Sequence, residues 1–166
     1  MMQYEKRLKI LFLPTWYLSE IYPVAGMTIK EHARAALIYN DVVVLYSYPD
    51  PSPRRFKLHQ RSEVIEDGIR TIRVKFRSYE AKRPSSFSAT NRPISVLKKP
   101  FIIARAAIRD LLYYYSIFAA FRRLVKEGWK PDIINAHAAS VGMPAFILGK
   151  LYKIPVVISE QGAVLP

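Results

Sequence analysis

The sequence contains no cysteine, which excludes disulfide bonds, thiol nucleophiles and cysteine-ligated zinc. Histidine is scarce as well, and His32, His59 and His137 are far apart in the chain, so a histidine-rich metal centre is not expected. Acidic residues are few, with 13 Asp and Glu against 26 Lys and Arg, which gives a formal net charge of +13. That imbalance predicts an anionic partner, such as a phosphate-rich ligand, a lipid surface or a nucleic acid.

Hydrophobic runs long enough to cross a bilayer are also missing. The longest charge-free stretch in the most apolar region is residues 111–121, whereas a membrane-spanning helix needs about 20 residues. The apolar run near the amino terminus stops at Pro14 and is too short for the core of a signal peptide. We therefore expect a soluble, cytoplasmic protein, with peripheral association at the inner face of the cell membrane as an additional option.

The 166 residues suit a single domain in which apolar runs alternate with helical patterns. The predicted elements, in chain order, are a strand at 8–13, a helix at 28–39, a strand at 42–48, a β-hairpin at 62–77, a long helix at 95–127, a short strand at 133–135, a helix at 140–152 and a strand at 154–159. Strands that alternate with helices predict an α/β fold with a mostly parallel sheet.

Local signals refine several of these boundaries. Thr28 is the expected N-cap of the first helix, and Glu31 completes a capping box three residues later. Asp67-Gly68 between two apolar runs is a strong signal for a two-residue hairpin turn.

The middle of the chain is less regular. Residues 78–93 are polar, basic and rich in serine, a composition that predicts a mobile loop. The helical pattern after it is long for one globular helix, so a bend or a division into two helices is expected near Pro100, and Gly128 ends the pattern.

Ligands of parallel α/β sheets bind at the carboxyl ends of the strands. Gly26 and Thr28 stand before and at the start of the first helix, where free backbone N–H groups favour a phosphate or carboxylate. The simpler interpretation is that Gly26 only makes the turn. Neither a GxGxxG fingerprint nor a Walker loop is present.

Two further groups of candidate residues follow later strands. Asn135 and His137 come at the end of the 133–135 strand, and His137 is expected in the crevice, either as a functional group or as a structural histidine. The side chain of Asn135 can form a hydrogen bond with its own backbone or donate one to a ligand. Glu160 and Gly162 follow the last strand at the same edge, with a solvated charge as the alternative for Glu160.

Several segments together resemble one known family, over about the whole chain. They are LKILFLPTWYLSEIYPVAGMTIKEHARAA followed by DVVVLY, then GIRTIRVKF, and finally PDIINAHAASVGMPAFILGKLYKIPVVISEQG. In their order and spacing these segments resemble the amino-terminal part of the retaining glycosyltransferases of family 4, also called glycosyl transferases group 1. The match is poorest at residues 78–126.

The resemblance implies a GT-B fold, in which two Rossmann-like domains face each other across a cleft. This chain would be the amino-terminal domain, which mainly holds a sugar or lipid-linked acceptor. The nucleotide-sugar donor would bind mainly to a carboxy-terminal domain that is absent from this chain, so the isolated domain should be inactive. The resemblance further implies no metal, no other cofactor and a role in cell-surface polysaccharide or glycolipid synthesis.

The resemblance also suggests roles for individual residues. His137 matches the second histidine of the family's H-x-H motif, which lies near the reacting sugar, and this implies a catalytic role. Gly26 matches the glycine of the loop that approaches donor phosphate or acceptor. Asn135 and Gln161 stand where the family usually has histidine, and the change at Gln161 argues against proton transfer there.

The positive charge is concentrated in the middle third of the chain. Residues 50–110 hold fifteen Lys and Arg against six Asp and Glu, and apolar and aromatic residues lie beside them. That combination suits an anionic membrane surface, and a solvated basic face is the alternative. A nucleic-acid-binding module is a different class of interpretation, but no RNP, KH or helix-turn-helix pattern supports it. A non-catalytic, flavodoxin-like module for a phosphorylated ligand is another.

Overall fold

The computed structural model describes residues 7–19, 23–50, 58–77 and 99–160. The strands and helices of these residues are β1 (Lys9–Pro14), α1 (Met27–Leu37), β2 (Asp41–Asp50), β3 (His59–Glu66), β4 (Ile69–Arg77), α2 (Lys99–Lys126), β5 (Ile133–His137), α3 (Gly142–Tyr152) and β6 (Val156–Ser159). A single 3₁₀ turn, Ala139–Val141, leads into α3.

The strands form one sheet in the order β3-β4-β2-β1-β5-β6. Only the pairing of β3 with β4 is antiparallel among the described strands, and the other four pairings are parallel. The predicted α/β fold, with a mostly parallel sheet and a β-hairpin inserted into it, is confirmed. The chain adds β2 on one side of β1 and β5 on the other, so the strand order reverses between β1 and β5. Ligands of open α/β sheets bind at such a switch point.

The sheet is covered on both faces, so its central strands are apolar on both sides. One face packs against α2 and α3 through a core that includes Leu11, Val43, Ile72, Phe121 and Leu148. The opposite face packs against α1 through a core that includes Phe12, Val44, Ile29, Ala33 and Tyr17. The layers are therefore helix, sheet and helix, with β1 and β2 at the centre.

The start of α1 differs from the sequence prediction. The helix begins at Met27 and its N-cap is Gly26, with no side-chain hydrogen bond capping it. Thr28 is exposed in the first turn, so the predicted capping box of Thr28 and Glu31 is wrong. The chain must turn sharply before the helix, and the left-handed φ of 76° at Gly26 makes that turn.

The hairpin is confirmed, and its turn is the one that the sequence indicates. Asp67 and Gly68 both have positive φ, at 51° and 81°, as a type I′ turn requires. Strand β4 pairs in parallel with β2, which attaches the hairpin to the main sheet.

Helix α2 packs along only part of its length. Its second half buries Ile117, Phe121 and Leu124 in the core, whereas Ile103 and Leu111 in the first half are 67% and 68% exposed. Residues 99–126 form one uninterrupted helix, so no division into two helices occurs within them. Pro100 lies in the first described turn, where a missing N–H costs no helical hydrogen bond. None of the helices in the described part of the chain has the length and apolarity needed to span a bilayer.

Gly128 ends α2 as predicted, with a φ of 89°. The N–H of Trp129 reaches back to the carbonyl of Leu124 at 3.1 Å, which closes the last turn. The predicted loop at 78–93 lies outside the described residues.

Candidate functional site

The carboxyl ends of β1 and β5 are fastened together at the switch point. The N–H and the side-chain hydroxyl of Thr15 both donate to the carbonyl of His137, at 3.2 and 3.1 Å. Thr15 Oγ1 and Ser140 Oγ share a further hydrogen bond of 2.6 Å. Since Thr15 follows β1 and Ser140 lies in the 3₁₀ turn after β5, the two loops that border the crevice are held in a fixed relation.

His137 is the last residue of β5, not a residue beyond the strand end, and only 2% of it is exposed. Its ring stacks on Phe12 with the centroids 5.2 Å apart, and the ring of His32 lies 6.3 Å away. Neither ring nitrogen has a hydrogen-bond partner in the described part of the chain. His137 is therefore buried at the edge of the crevice and not open to it, and its catalytic role stays a prediction.

The burial of His137 also decides its protonation. Burial, with a smaller contribution from the charge of His32, lowers the pKa of His137 from 6.5 to about 4. The imidazole is neutral at pH 7, so it can form hydrogen bonds but cannot serve as a protonated acid.

The backbone turns sharply directly after His137. Ala138 has a φ of 76°, a left-handed conformation that residues with a Cβ rarely adopt. The conformation is maintained by hydrogen bonds from Ala138 N to the carbonyl of Ser159, at 3.0 Å, and from Val141 N to the carbonyl of Ala138, at 3.3 Å. Backbone strain of this kind costs about 1–3 kcal/mol and concentrates at functional sites.

Gly26 lies against the loop that follows β1. A Cβ at this position would stand 2.6 Å from the carbonyl oxygen of Trp16 and 2.8 Å from Cα of Tyr17. No side chain fits there, so the glycine has a structural reason of its own. The close approach also puts the start of α1 beside the loop that follows β1, and a binding role of Gly26 stays a prediction.

The remaining predicted site residues are less closely grouped. Asn135 Oδ1 accepts a hydrogen bond of 3.0 Å from Ser159 Oγ, which ties β5 to β6. Thr28 and Glu160 are exposed. Gly162 and Gln161 lie outside the described residues. The assignment of these residues to substrate binding stays a prediction.

A cleft of about 390 Å³ opens at the same edge of the sheet, on the β2 side of β1. We call it the aromatic cleft, and the residues that line it are Thr15, Trp16, Ala25, Tyr46, Ser47, Tyr48, Pro49, Phe76, Arg109, Asp110, Tyr113 and Ser140. Sequence reasoning missed this cleft because its aromatic residues come from four separate segments. The only signal was the unusual number of aromatic residues, 13% of the chain.

Arg73 is a further feature that the sequence does not reveal, because it is one of fifteen basic residues between 50 and 110 and no local pattern distinguishes it. Its guanidinium donates to the carbonyl of Leu18 at 3.0 and 3.1 Å and pairs with Glu66 at 2.8 Å. Tyr17 is fully buried beside it, and burial, with the nearby charge of Glu66, raises the pKa of Tyr17 to about 12. Arg73 therefore fixes the loop after β1 to the hairpin.

Among the residues that the structure describes, no group of three His, Asp or Glu side chains could hold a metal ion. The expectation that no metal is needed stays a prediction.

Comparison with known proteins gives partial similarities. No protein-family model matches the chain. It is 35% identical over 72 residues to the UDP-N-acetylglucosamine--N-acetylmuramyl-(pentapeptide) pyrophosphoryl-undecaprenol N-acetylglucosamine transferase of Histophilus somni (strain 129Pt), which covers 43% of this chain and 17% of the relative. It is 30% identical over 125 residues to the glycogen synthase of Mycobacterium tuberculosis, which covers 71% of this chain and 24% of the relative.

Both kinds of relative are glycosyltransferases, in agreement at a coarse level with the resemblance described above. The matches span a quarter or less of the length of these relatives. The similarity therefore concerns one part of a sugar-transferring enzyme.

Proposed function

We propose that this chain is the amino-terminal, acceptor-binding domain of a retaining glycosyltransferase of family 4 that uses a nucleotide-sugar donor. The observation that carries the proposal is the crevice between β1 and β5, where the start of α1, the Thr15 loop and His137 meet at the switch point of the sheet. The similarity to two kinds of glycosyltransferase supports the same conclusion. The donor half would be supplied by a second domain that faces this crevice.

The start of α1 is proposed to receive an anionic or strongly polar group. Its N-cap is a glycine without a capping side chain, and its first turn contains no acidic residue. The first N–H groups of the helix are therefore not neutralised by a side chain of their own turn, and the helix dipole favours a negative charge. In the proposed enzyme this group is the diphosphate of the donor or a hydroxyl of the acceptor.

His137 is proposed to orient a sugar hydroxyl as a neutral hydrogen-bonding group. Transfer from a nucleotide-sugar needs a stabilised leaving diphosphate and well-placed reactants, and fixed dipoles and hydrogen bonds supply both. A pKa of about 4 makes protonated imidazole rare at neutral pH, so the proposed role is positioning and not acid catalysis. Because the ring is buried, substrate reaches it only when the side chains that cover it move.

The test uses a protein that carries this chain together with a donor-binding domain. We expect release of nucleotide from a nucleotide-sugar at a rate proportional to enzyme concentration, and none with the 166-residue chain alone. His137→Gln should lower kcat by roughly 10²- to 10³-fold, the range for the loss of one preorganised hydrogen-bonding group. Arg34→Ala is the matched control, because Arg34 is exposed and its ion pair with Glu31 is 3.6 Å long.

Three results would contradict the proposal. The first is turnover by the isolated chain, and the second is full activity of a correctly folded His137→Gln enzyme. The third is steeply salt-dependent binding of nucleic acid without any transfer, which would favour the basic binding module.

A peripheral membrane location is a second proposal, and it rests on the first half of α2. This half presents Ile103, Ile108 and Leu111 to solvent, with Arg105 among them. Apolar side chains on a basic helix bind anionic lipid surfaces, in keeping with the net charge of +13. Co-sedimentation with acidic vesicles, weakened by salt and absent with zwitterionic vesicles, is the expected result, and Leu111→Glu should reduce it. Equal binding to both kinds of vesicle would contradict the proposal.

A further inference from the structure

The first four residues of the loop that follows β1 are each held by contacts with other segments. Thr15 is bonded to His137 and Ser140, and the carbonyl of Trp16 lies against Gly26. Tyr17 is fully buried, and the carbonyl of Leu18 accepts two hydrogen bonds from Arg73. A side chain carried by this loop is therefore held in place before any ligand arrives.

The side chain of Trp16, unlike its backbone, is not held by such contacts. It is 46% exposed, and its indole nitrogen has no hydrogen-bond partner among the residues that the structure describes. The other tryptophan, Trp129, is only 9% exposed and donates from Nε1 to Asp41 at 2.7 Å. An exposed indole on a rigid backbone offers a large contact area with little entropy to lose on binding.

Trp16 opens into the aromatic cleft, where polar and aromatic groups alternate. Tyr48, Phe76 and Tyr113 supply ring surfaces. Arg109 and Asp110 form an ion pair of 3.0 Å at the same cleft. The volume of about 390 Å³ lies within the range of about 300–1,000 Å³ that small-molecule sites occupy.

We propose that Trp16 is the stacking surface for a sugar ring of the acceptor, bound in the aromatic cleft. One face of a pyranose carries C–H groups that pack on an indole, while its hydroxyls need hydrogen-bond partners at the rim. Arg109 with Asp110, and Thr15 with Ser140, supply charged and hydroxyl groups there. A purely apolar chain would displace water from these groups without replacing its hydrogen bonds, which favours a sugar over a lipid tail. This inference deepens the proposed function and rests on it.

The experiment follows the two indole N–H resonances of the 166-residue chain by NMR. The probes are maltotriose and N,N′-diacetylchitobiose, titrated to about 50 mM because one or two sugar rings bury little surface and bind weakly. We expect saturable shifts of the Trp16 indole and of the Ser140 amide, with Trp129 unchanged. No shift at Trp16 with either sugar, or a saturable shift with n-hexanol alone, would overturn the proposal.

Variants separate stacking from general effects on the fold. Trp16→Ala should weaken the binding of the sugar that gives the shift at least about tenfold, which corresponds to about 1.4 kcal/mol. In this variant, binding is followed at the Ser140 amide. Trp16→Phe should recover part of the loss, because it restores a flat ring. Tyr39→Ala is the matched control, since Tyr39 is 76% exposed and lies in the turn after α1, outside the cleft. Unchanged affinity of a folded Trp16→Ala chain contradicts the proposal.

The failure of this inference can be told apart from the failure of the proposed function. In a protein that includes the donor domain, Trp16→Ala should raise KM for the acceptor more than it lowers kcat. If that protein transfers sugar but KM is unaffected, the stacking surface is wrong and the enzymatic function stands. If sugars shift the Trp16 indole but no donor is ever consumed, the sugar site stands and the enzymatic function is wrong.

Discussion

The crevice between β1 and β5 and the hairpin of β3 and β4 both contain backbone in the left-handed conformation, and each stabilises it in a different way. Each contains a non-glycine residue with positive φ, Ala138 in the crevice and Asp67 in the hairpin. Asp67 stands in a type I′ turn beside Gly68, where aspartate tolerates this conformation. Ala138 has neither a glycine beside it nor a tolerant side chain, and hydrogen bonds with Ser159 of β6 and Val141 of the 3₁₀ turn hold its conformation.

The hairpin and the crevice also differ in how their polar side chains are paired. The charged side chains of the hairpin form ion pairs with one another and with Glu127 at the end of α2. In the crevice, by contrast, the buried ring of His137 has two nitrogens without partners in the described chain. The hairpin is thus specified by local chemistry, whereas the crevice carries strain and unsatisfied polarity that the rest of the fold supports. Such local inconsistency is expected where function, not folding, sets the sequence.

The largest expected loss of stability distinguishes Gly26, beside the loop that follows β1, from Gly68 in the hairpin turn. Gly26→Ala should reduce the free energy of unfolding by about 3 kcal/mol, since it combines a positive φ with a backbone clash at Trp16. Gly68→Ala has the same backbone difficulty, but its Cβ would meet only the end of the Leu37 side chain, at 3.4 Å. It should cost about 1 kcal/mol. Urea unfolding of both variants measures the two losses. Equal reductions in the free energy of unfolding would show that the loop at Trp16 moves readily to accommodate a side chain at position 26.

The next effect is the pH dependence that His137 confers on stability. The unfolded chain binds a proton at this histidine near pH 6.5, whereas the folded chain does so only near its lowered pKa of about 4. The free energy of unfolding is therefore at its full value above pH 6.5 and falls as the pH decreases towards 4, by up to about 3 kcal/mol.

His137→Leu should remove most of this decrease, because leucine keeps an apolar contact with Phe12 and binds no proton. Thermal unfolding of the variant and the original chain between pH 7 and pH 4.5 is the measurement. His32→Ala serves as the control, with a small effect, since His32 is exposed and contributes less than burial to the lowered pKa. An equal pH dependence of the His137→Leu variant would place the titrating group elsewhere.

The sequence predicted the parts of the fold that short segments encode. The apolar run at β1, the turn at Asp67-Gly68 and the end of α2 at Gly128 each depend on a few neighbouring residues. It failed at the start of α1, because the favourable capping pattern of Thr28 and Glu31 was overruled by the contact of Gly26 with the preceding loop. That contact joins residues ten positions apart and leaves no local signal.

The sequence predicted the edge of the sheet at which the candidate site lies but not the packing of its residues, and ligand binding there stays a prediction. The carboxyl edge of the sheet and the nearness of Gly26 to the crevice followed from topology. The burial of His137 did not, because it depends on Phe12 and His32 from two other elements. Likewise the hydrogen bonds from Arg73 to the carbonyl of Leu18 join two distant segments and leave no local signal in the sequence.

The smallest expected effect tests the hairpin. Glu127 accepts hydrogen bonds from Arg61, Arg70 and Arg123 at 2.7–3.3 Å. Burial alone would raise the pKa of Glu127, but these hydrogen bonds outweigh it and lower the pKa. Glu127→Gln should reduce the free energy of unfolding by only about 1 kcal/mol, because the carboxylate is about one-third exposed and solvent screens its pairs.

This loss of stability should be smaller in high salt and at a pH below the lowered pKa, where the carboxylate is already protonated. Urea unfolding at low and high salt is the measurement. A loss as large as that of Gly26→Ala, unaffected by salt, would mean that the hairpin is held as tightly by tertiary contacts as the crevice.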